Sequence, residues 1–254
     1  CQDYHGDVIY VMANDAWQYG EGVNYATPIN ESVEVTVHGV KIVGVSPSGS
    51  LGPVWRPAAA AGTALTVSAM DVLVEGFCFD GFLVGAGGNG IYAEWDGVTL
   101  FGENLTVRNC FFSETIDTAI QLEYSWYCNI HNNEFSECDV YGIHVDVGGS
   151  GAAYLNIYDN KFHDCAAALT LLGGVDESRI YRNAIFNSNA MGAAAATNEG
   201  ITTNGGVNNM VFDNYFSCLL PVPANGDWND LNTAGTDAWV NNHLMNGDSV
   251  TNPT

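Results

Sequence analysis

A repeat constrains this chain more than anything else in it. Five segments align on one β-branched residue each: NLTVRNCFF from Asn104, YCNIHNNEF from Tyr127, YLNIYDNKF from Tyr154, SRIYRNAIF from Ser178 and NNMVFDNYF from Asn208. The anchors Val107, Ile130, Ile157, Ile180 and Val211 are 23, 27, 23 and 31 residues apart. Alternation within a segment means a strand, and a period in the twenties between segments means strands stacked into a solenoid. Five residues past the anchors stand Phe112, Phe135, Phe162, Ile185 and Phe216. Three past them stand Cys110 and then Asn133, Asn160, Asn183 and Asn214. The same register extends upstream through Val74, with Phe79 as its fifth follower, and through Ile42. The expectation is an all-β, single-stranded, right-handed parallel β-helix of about seven coils. At one strand spacing of roughly 4.8 Å per coil, that is a rod on the order of 30–40 Å long.

A second strand recurs as NGIYAE, TAIQLE, YGIHVD, AALTLL and EGITTN. Its inward pairs read Ile91/Ala93, Ile120/Leu122, Ile143/Val145, Leu169/Leu171 and Ile201/Thr203. A Gly or Ala always precedes the pair, which suggests a tight turn or a closely packed neighbouring chain. The Phe column is a core stack. The Asn column is a corner ladder, because an amide can both donate and accept along a stack and satisfy corner backbone groups. One domain is expected over 1–254: a cap with opening strands at 1–39, coils over 40–218, and an irregular capping segment over 219–254, where two prolines break the register and one last short coil could form around Val240.

Composition narrows the partners. Lys and Arg number 6 against 29 Asp and Glu, a formal charge of −23. Nucleic acid and anionic lipid bind through Lys and Arg, so neither is an expected partner. No apolar run is long enough to span a bilayer. The seven cysteines show no CxxC pair, hence neither a zinc site nor a full disulfide framework is indicated. Cys138 and Cys165 share a register position and read as stacked thiols. The chain opens on Cys1 rather than Met, so trimming or omission is expected there.

Two outward columns carry whatever chemistry there is. Along the second strand run Tyr92, Gln121, His144, Thr170 and Thr202, and beside them Glu94, Glu123 and Asp146. Three carboxylates on adjacent coils could serve glycoside hydrolysis, one coil apart for retention and two for inversion. They could equally hold Ca²⁺, or be a solvated acidic edge, which is the weightier reading at this net charge; no catalytic residue is assigned with confidence. Along the first strand, Glu75, Arg108, His131, Tyr158, Tyr181 and Phe212 form one outward column, and Asn109, Asn132, Asp159, Arg182 and Asp213 the next. Here Arg108 is expected to pair with Glu75, and Arg182 to lie between Asp159 and Asp213. Tyr92, His131, His144, Tyr158, Tyr181 and Phe212 are the candidate glycan or partner contacts.

The coil pattern I-x-x-N-x-F followed by G-I-x-V resembles the right-handed parallel β-helix superfamily of pectate lyases, polygalacturonases and phage tailspikes. The N-T-D, D-D, G-H-G and R-I-K signatures of polygalacturonases are absent, and no pectate-lyase group of Arg with calcium-binding carboxylates is recognisable. The opening passage, GDVIYVM, VHGVKIVGVSPSG and VWRPAAAAGTALTVSAMDVLVEGFCF, is similar to β-helix proteins common in tailed-phage genomes. That resemblance implies a non-enzymatic virion-surface or extracellular role as a decoration, spike or fibre subunit contacting capsid or other virion proteins. The nearly chargeless loops GPVWRPAAAAG and NAMGAAAATN imply burial against a second copy, with a homotrimer favoured. The alternatives are a polysaccharide hydrolase or lyase using Glu94, Glu123 and Asp146, and a carbohydrate-binding adhesin using Tyr158, Tyr181 and Phe212.

Overall fold

The computed structural model describes residues 6–13, 28–46, 52–59, 62–80, 88–94, 102–113, 118–146, 151–187, 199–218, 228–230 and 237–244. The loop NAMGAAAATN and most of the segment after residue 218 lie outside them. The described chain is a parallel β-solenoid built from three long sheets. The first sheet stacks nine strands, from Val8–Met12 and Lys41–Val45 through Asn129–His131 to Ala238–Val240. The second also has nine, running from Ile29–Asn30 through Glu134–Ser136 to His243–Leu244. The third has eight, from Val33–Val35 through Tyr141–Asp146 to Trp228–Asp230. Every pairing is parallel, since each coil visits the three sheets in the same direction.

The seven anchors pair in register as one inward column of the first sheet. One further rung lies at each end: Ile9 pairs with Ile42, and Trp239 with Val211. The residue of the opening strand in register with the anchors is therefore Ile9. The column is closed at one end and open at the other, because Ile9 is 49% exposed whereas Ile42 and Trp239 are each 4% exposed.

Two corners make the coil possible. Asn109, Asn132, Asp159, Arg182, Asp213 and Asn241 all have φ between 53° and 56° and turn the chain from the first sheet to the second. These residues read from the sequence as an outward strand column; the structure corrects that, since each is a single left-handed residue that redirects the backbone. Asn, Asp and one Arg occupy them because Asn and Asp tolerate this conformation best. A second left-handed column, Asp71, Asn104, Tyr127, Tyr154, Glu177 and Asn208, leads into the first sheet.

The Asn ladder forms and is longer than the repeat suggested. Each amide oxygen accepts from the backbone N–H one rung below: Cys110 to Asn133, Asn133 to Asn160, Asn160 to Asn183, Asn183 to Asn214 and Asn214 to Asn242, all at 3.0–3.1 Å. Each Nδ2 donates to the next amide oxygen and to an anchor carbonyl, as Asn160 does to Asn183 and to Ile130. Buried amides are tolerated here because their bonds are made. The opposite corner has a shorter ladder that the sequence reading missed, in which Leu155 N–H donates to Ser178, Ser178 N–H to Asn209 and Asn209 N–H to Asp237.

Phe79, Phe112, Phe135 and Phe162 stack at 4.6–5.0 Å with their planes nearly parallel. Trp55 continues that stack below Phe79 at 5.8 Å. The loop containing Trp55 was expected to be buried against another subunit; its indole packs in this chain's own core instead. The small residue before each third-sheet pair has the same cause. A Cβ on Gly142 would lie 2.8 Å from the Phe162 ring and 2.7 Å from the Ala168 carbonyl, and Gly90 meets Phe112 likewise. The adjacent coil's backbone carbonyl and the phenyl column together require smallness there, so the close neighbour is this chain's own next coil. Cys78, Cys110, Cys128, Cys138 and Cys165 are buried free thiols.

Candidate functional site

The third sheet carries one outward polar column, with the acidic residues at its edge. Tyr92, Gln121, His144, Thr170 and Thr202 pair rung to rung on the outward face. Glu94 and Glu123 directly follow the strands Asn89–Ala93 and Thr118–Leu122, and Asp146 ends the strand Tyr141–Asp146, so the three carboxylates sit at the edge of the sheet on successive coils. The Tyr92 hydroxyl donates to Glu123 Oε2 at 2.6 Å, so one carboxylate of the column is already engaged. Burial first, and then the Glu123 carboxylate, hold the Tyr92 phenol well above its ordinary value. His144 stacks on Tyr141 at 4.2 Å, and burial lowers its pKa against the pull of Asp146 and Glu123. Its Nε2 and the neighbouring Thr170 Oγ1 are buried without a hydrogen-bond partner. Among the described residues no group of three or more His, Cys, Asp or Glu is arranged to hold a metal ion.

The first sheet's outward face is organised differently. His131, Tyr158, Tyr181 and Phe212 stack in one unbroken column, with centroids 4.7, 5.0 and 4.9 Å apart and planes within 7°. Strand spacing imposes this, because identical rotamers on successive rungs bring rings to van der Waals distance. The ring faces therefore cover one another, leaving edges and tyrosine hydroxyls towards solvent. Arg182 lies over Tyr181 at 4.8 Å and Tyr158 at 5.8 Å while gripping Asp159 through two bonds of 2.7 Å. It does not reach to Asp213, which instead accepts from the Asn241 amide. Arg182 thus holds the Asp159 carboxyl below its usual range, more strongly than burial raises it. Arg108 pairs with Glu75 at 2.7 Å as expected.

A second ring pair flanks this column, which the sequence reading passed over. Tyr127 and Tyr154 stack at 4.9 Å and are both exposed, with Trp126 edge-on to Tyr127. The signal was present, since the second and third repeats both open on Tyr four residues before His131 and Tyr158. Between the two aromatic rows run Asn129 and Asn156, joined by a hydrogen bond of 3.3 Å that Asn156 Nδ2 donates to Asn129 Oδ1. The face therefore alternates ring edge, amide, ring edge, bordered by the Arg182–Asp159 pair.

Comparison with known proteins places the fold. A model described as the right handed beta helix region matches residues 84–185. No curated protein matches the chain. Among solved structures, a glycoside hydrolase is 19% identical with a TM-score of 0.61, over 85% of this chain and 38% of that one. XylC in complex with xylose is 12% identical with a TM-score of 0.53, over 84% and 38%. The tailspike protein of E. coli bacteriophage HK620, a double mutant in complex with a pentasaccharide, is 14% identical with a TM-score of 0.47, over 83% and 44%. The chain spans less than half the length of each of these proteins. At such identities the likeness is one of fold: this is a right-handed parallel β-helix, as the resemblance of its coil pattern implied.

Proposed function

We propose that this right-handed β-helix is a non-enzymatic, polysaccharide-contacting rod displayed on a virus particle or in a comparable extracellular setting. The observation that carries the reading is the outward face of the first sheet, with its two ring rows, the Asn129–Asn156 amides between them and the Arg182–Asp159 border. Hydroxyl-rich polymers are recognised by this mixture of apolar edges and paired amide donors and acceptors. The His131, Tyr158, Tyr181 and Phe212 column contributes edges and hydroxyls to the contact, with Tyr127 and Tyr154 beside it. Tyr92 and His144 belong to the other face, and Tyr92 is already bonded to Glu123. With a charge of −23 the rod suits neutral glycans better than acidic ones.

The test is a panel of bacterial surface polysaccharides incubated with the full chain. Retention without release of shorter products, lost in the Tyr158→Ala/Tyr181→Ala variant, is the expected result. A second reading, hydrolysis or lysis at Glu94, Glu123 and Asp146, is favoured by the Tyr92–Glu123 pair, which fixes one carboxylate in a defined position. Product release that disappears with Glu123→Gln would replace the first reading by the second. A homotrimer bound to other virion proteins belongs to the first reading. Mass in solution of three chains and co-sedimentation with particles support it; a monomer that never sediments with particles refutes it.

A further inference from the structure

At the corner between the first and second sheets, the register position of the left-handed column is bare of side chains on two successive rungs, Gly44, which still lies in the strand Lys41–Val45, and Gly76, which is left-handed. Above them it carries Asn109, Asn132, Asp159 and Arg182. The two glycines and Gly52 pack backbone against backbone. A Cβ on Gly44 would lie 2.3 Å from the Gly76 carbonyl oxygen, and one on Gly52 only 1.5 Å from it. Close approach thus makes a floor of backbone at these three glycines. The result is a groove of about 420 Å³ whose walls include Ser46, Asn109, Asn132, Phe111 and Glu134. That volume falls within the range of small-molecule sites.

We infer that this groove is a subsite for a short neutral saccharide, lying at the His131 end of the aromatic strip and resting on the polysaccharide-contacting reading above. The donor and acceptor set selects the ligand class. Asn109 uses one N–H on Glu75 Oε1 at 3.0 Å, and Asn132 sets its Nδ2 against His131 Nδ1 at 3.1 Å. Those bonds engage one N–H of each amide, and each retains a carbonyl oxygen and a second N–H that can bond hydroxyl-sized partners. Glu134 bonds His163 Nε2 through Oε1 at 3.1 Å, so its other oxygen remains an acceptor. The half-exposed Phe111 ring supplies an apolar wall for the C–H face of a sugar. An anion is disfavoured because the lining includes a carboxylate and, among the described residues, no Lys or Arg. A divalent cation is disfavoured because, among the described residues, Glu134 is the single carboxylate of that lining. The groove adjoins the strip because Asn132 follows His131, the first ring of the outward stack.

The experiment titrates the full-length chain with neutral xylo-, cello- and malto-oligosaccharides and with an acidic oligogalacturonide, reading affinity by calorimetry and the side-chain amide signals of Asn109 and Asn132 by NMR. Asn109→Gly/Asn132→Gly keeps the left-handed backbone, which glycine adopts freely, while deleting both amides. Expected are binding of a neutral oligosaccharide, shifted amide signals at Asn109 and Asn132 in the wild type, and at least tenfold weaker binding by the double variant. Glu134→Gln, which keeps a hydrogen-bonding oxygen, should weaken binding less. Unchanged affinity in the double glycine variant, or amide signals that do not move, overturns the groove; loss in Tyr158→Ala/Tyr181→Ala alone then leaves the strip reading standing. Binding of the acidic oligosaccharide alone overturns the neutral class, and no binding of any member overturns both readings.

Discussion

The outward faces of the first and third sheets are built on the same rungs, yet their side chains satisfy one another to different degrees. On the first sheet His131, Tyr158, Tyr181 and Phe212 stack along the rod, and Arg182 and Asp159 lock its border. On the third, Tyr92 reaches diagonally to Glu123, while His144 Nε2 and Thr170 Oγ1 are buried and unbonded, against Arg108 Nε on the first. Stacking identical residue types at strand spacing is favourable when they are aromatic or amide and unfavourable when they are carboxylates. The first face is therefore a repetitive surface whose order supports its own stability. The third carries unmet polarity in its buried part and like charges on adjacent rungs at its edge.

Breaking the first face should have the largest effect. Tyr181→Ala removes two ring contacts and the platform under Arg182, and is expected to cost about 2 kcal/mol, measured as a lower urea midpoint at constant slope. Tyr181→Phe should stay close to wild type; equal losses in both variants would mean that the hydroxyl, not the stack, matters. The third face should respond with the opposite sign. Thr170→Val deletes a buried, unbonded hydroxyl at nearly constant volume and is expected to stabilise by about 1 kcal/mol. Destabilisation would show that the hydroxyl does have a partner in solution, and the contrast between the faces would fail.

The smallest effect is a pH slope shared by both faces. His131 is held below its ordinary value by burial and by Arg108, outweighing Asp159 and Glu75, and His144 by burial. The folded state therefore prefers neutral imidazole. Its stabilising share is complete above the unfolded histidine value of about 6.5 and is lost as pH falls through the folded values. Urea midpoints should decline from pH 7 towards pH 5, less steeply in His131→Gln/His144→Gln. Glu103, whose pKa burial and Asp71 raise, acts in the opposite direction at the lower end of that window. A midpoint that rises over the whole window would exclude the histidines as its cause.

Much of the fold was legible because solenoid ladders repeat their chemistry as well as their spacing. Val, Ile, Phe and Asn recur at fixed offsets, so Asn133 to Asn214 could be read as a ladder before any coordinates. What escaped had physical reasons. Trp55 sits after an insertion that shifts it off the five-residue offset, although it stacks on Phe79. Ser178, Asn209 and Asp237 form a ladder from three different residue types, and no identity repeats to reveal it. Asn109 and Arg182 were placed on a strand because alternation cannot mark a single left-handed residue. For the site, the Tyr127–Tyr154 row was visible in register, whereas the groove at Gly44 and Gly76 was not, since it consists of side chains that are missing.

The Asn ladder has a consequence beyond holding a corner. Its amide carbonyls all point towards the N-terminal end of the rod, each accepting from the rung below. Five aligned amides form a polar wire, and bonds in such a chain polarise one another. Turning one amide over would set oxygen against backbone carbonyl and NH₂ against N–H at the same time. The wire therefore has a single permitted sense, and the cost of reversing a link falls on both of its neighbours. A mispaired rung during folding would meet that mismatch at once, which gives the column the role of a ratchet for register.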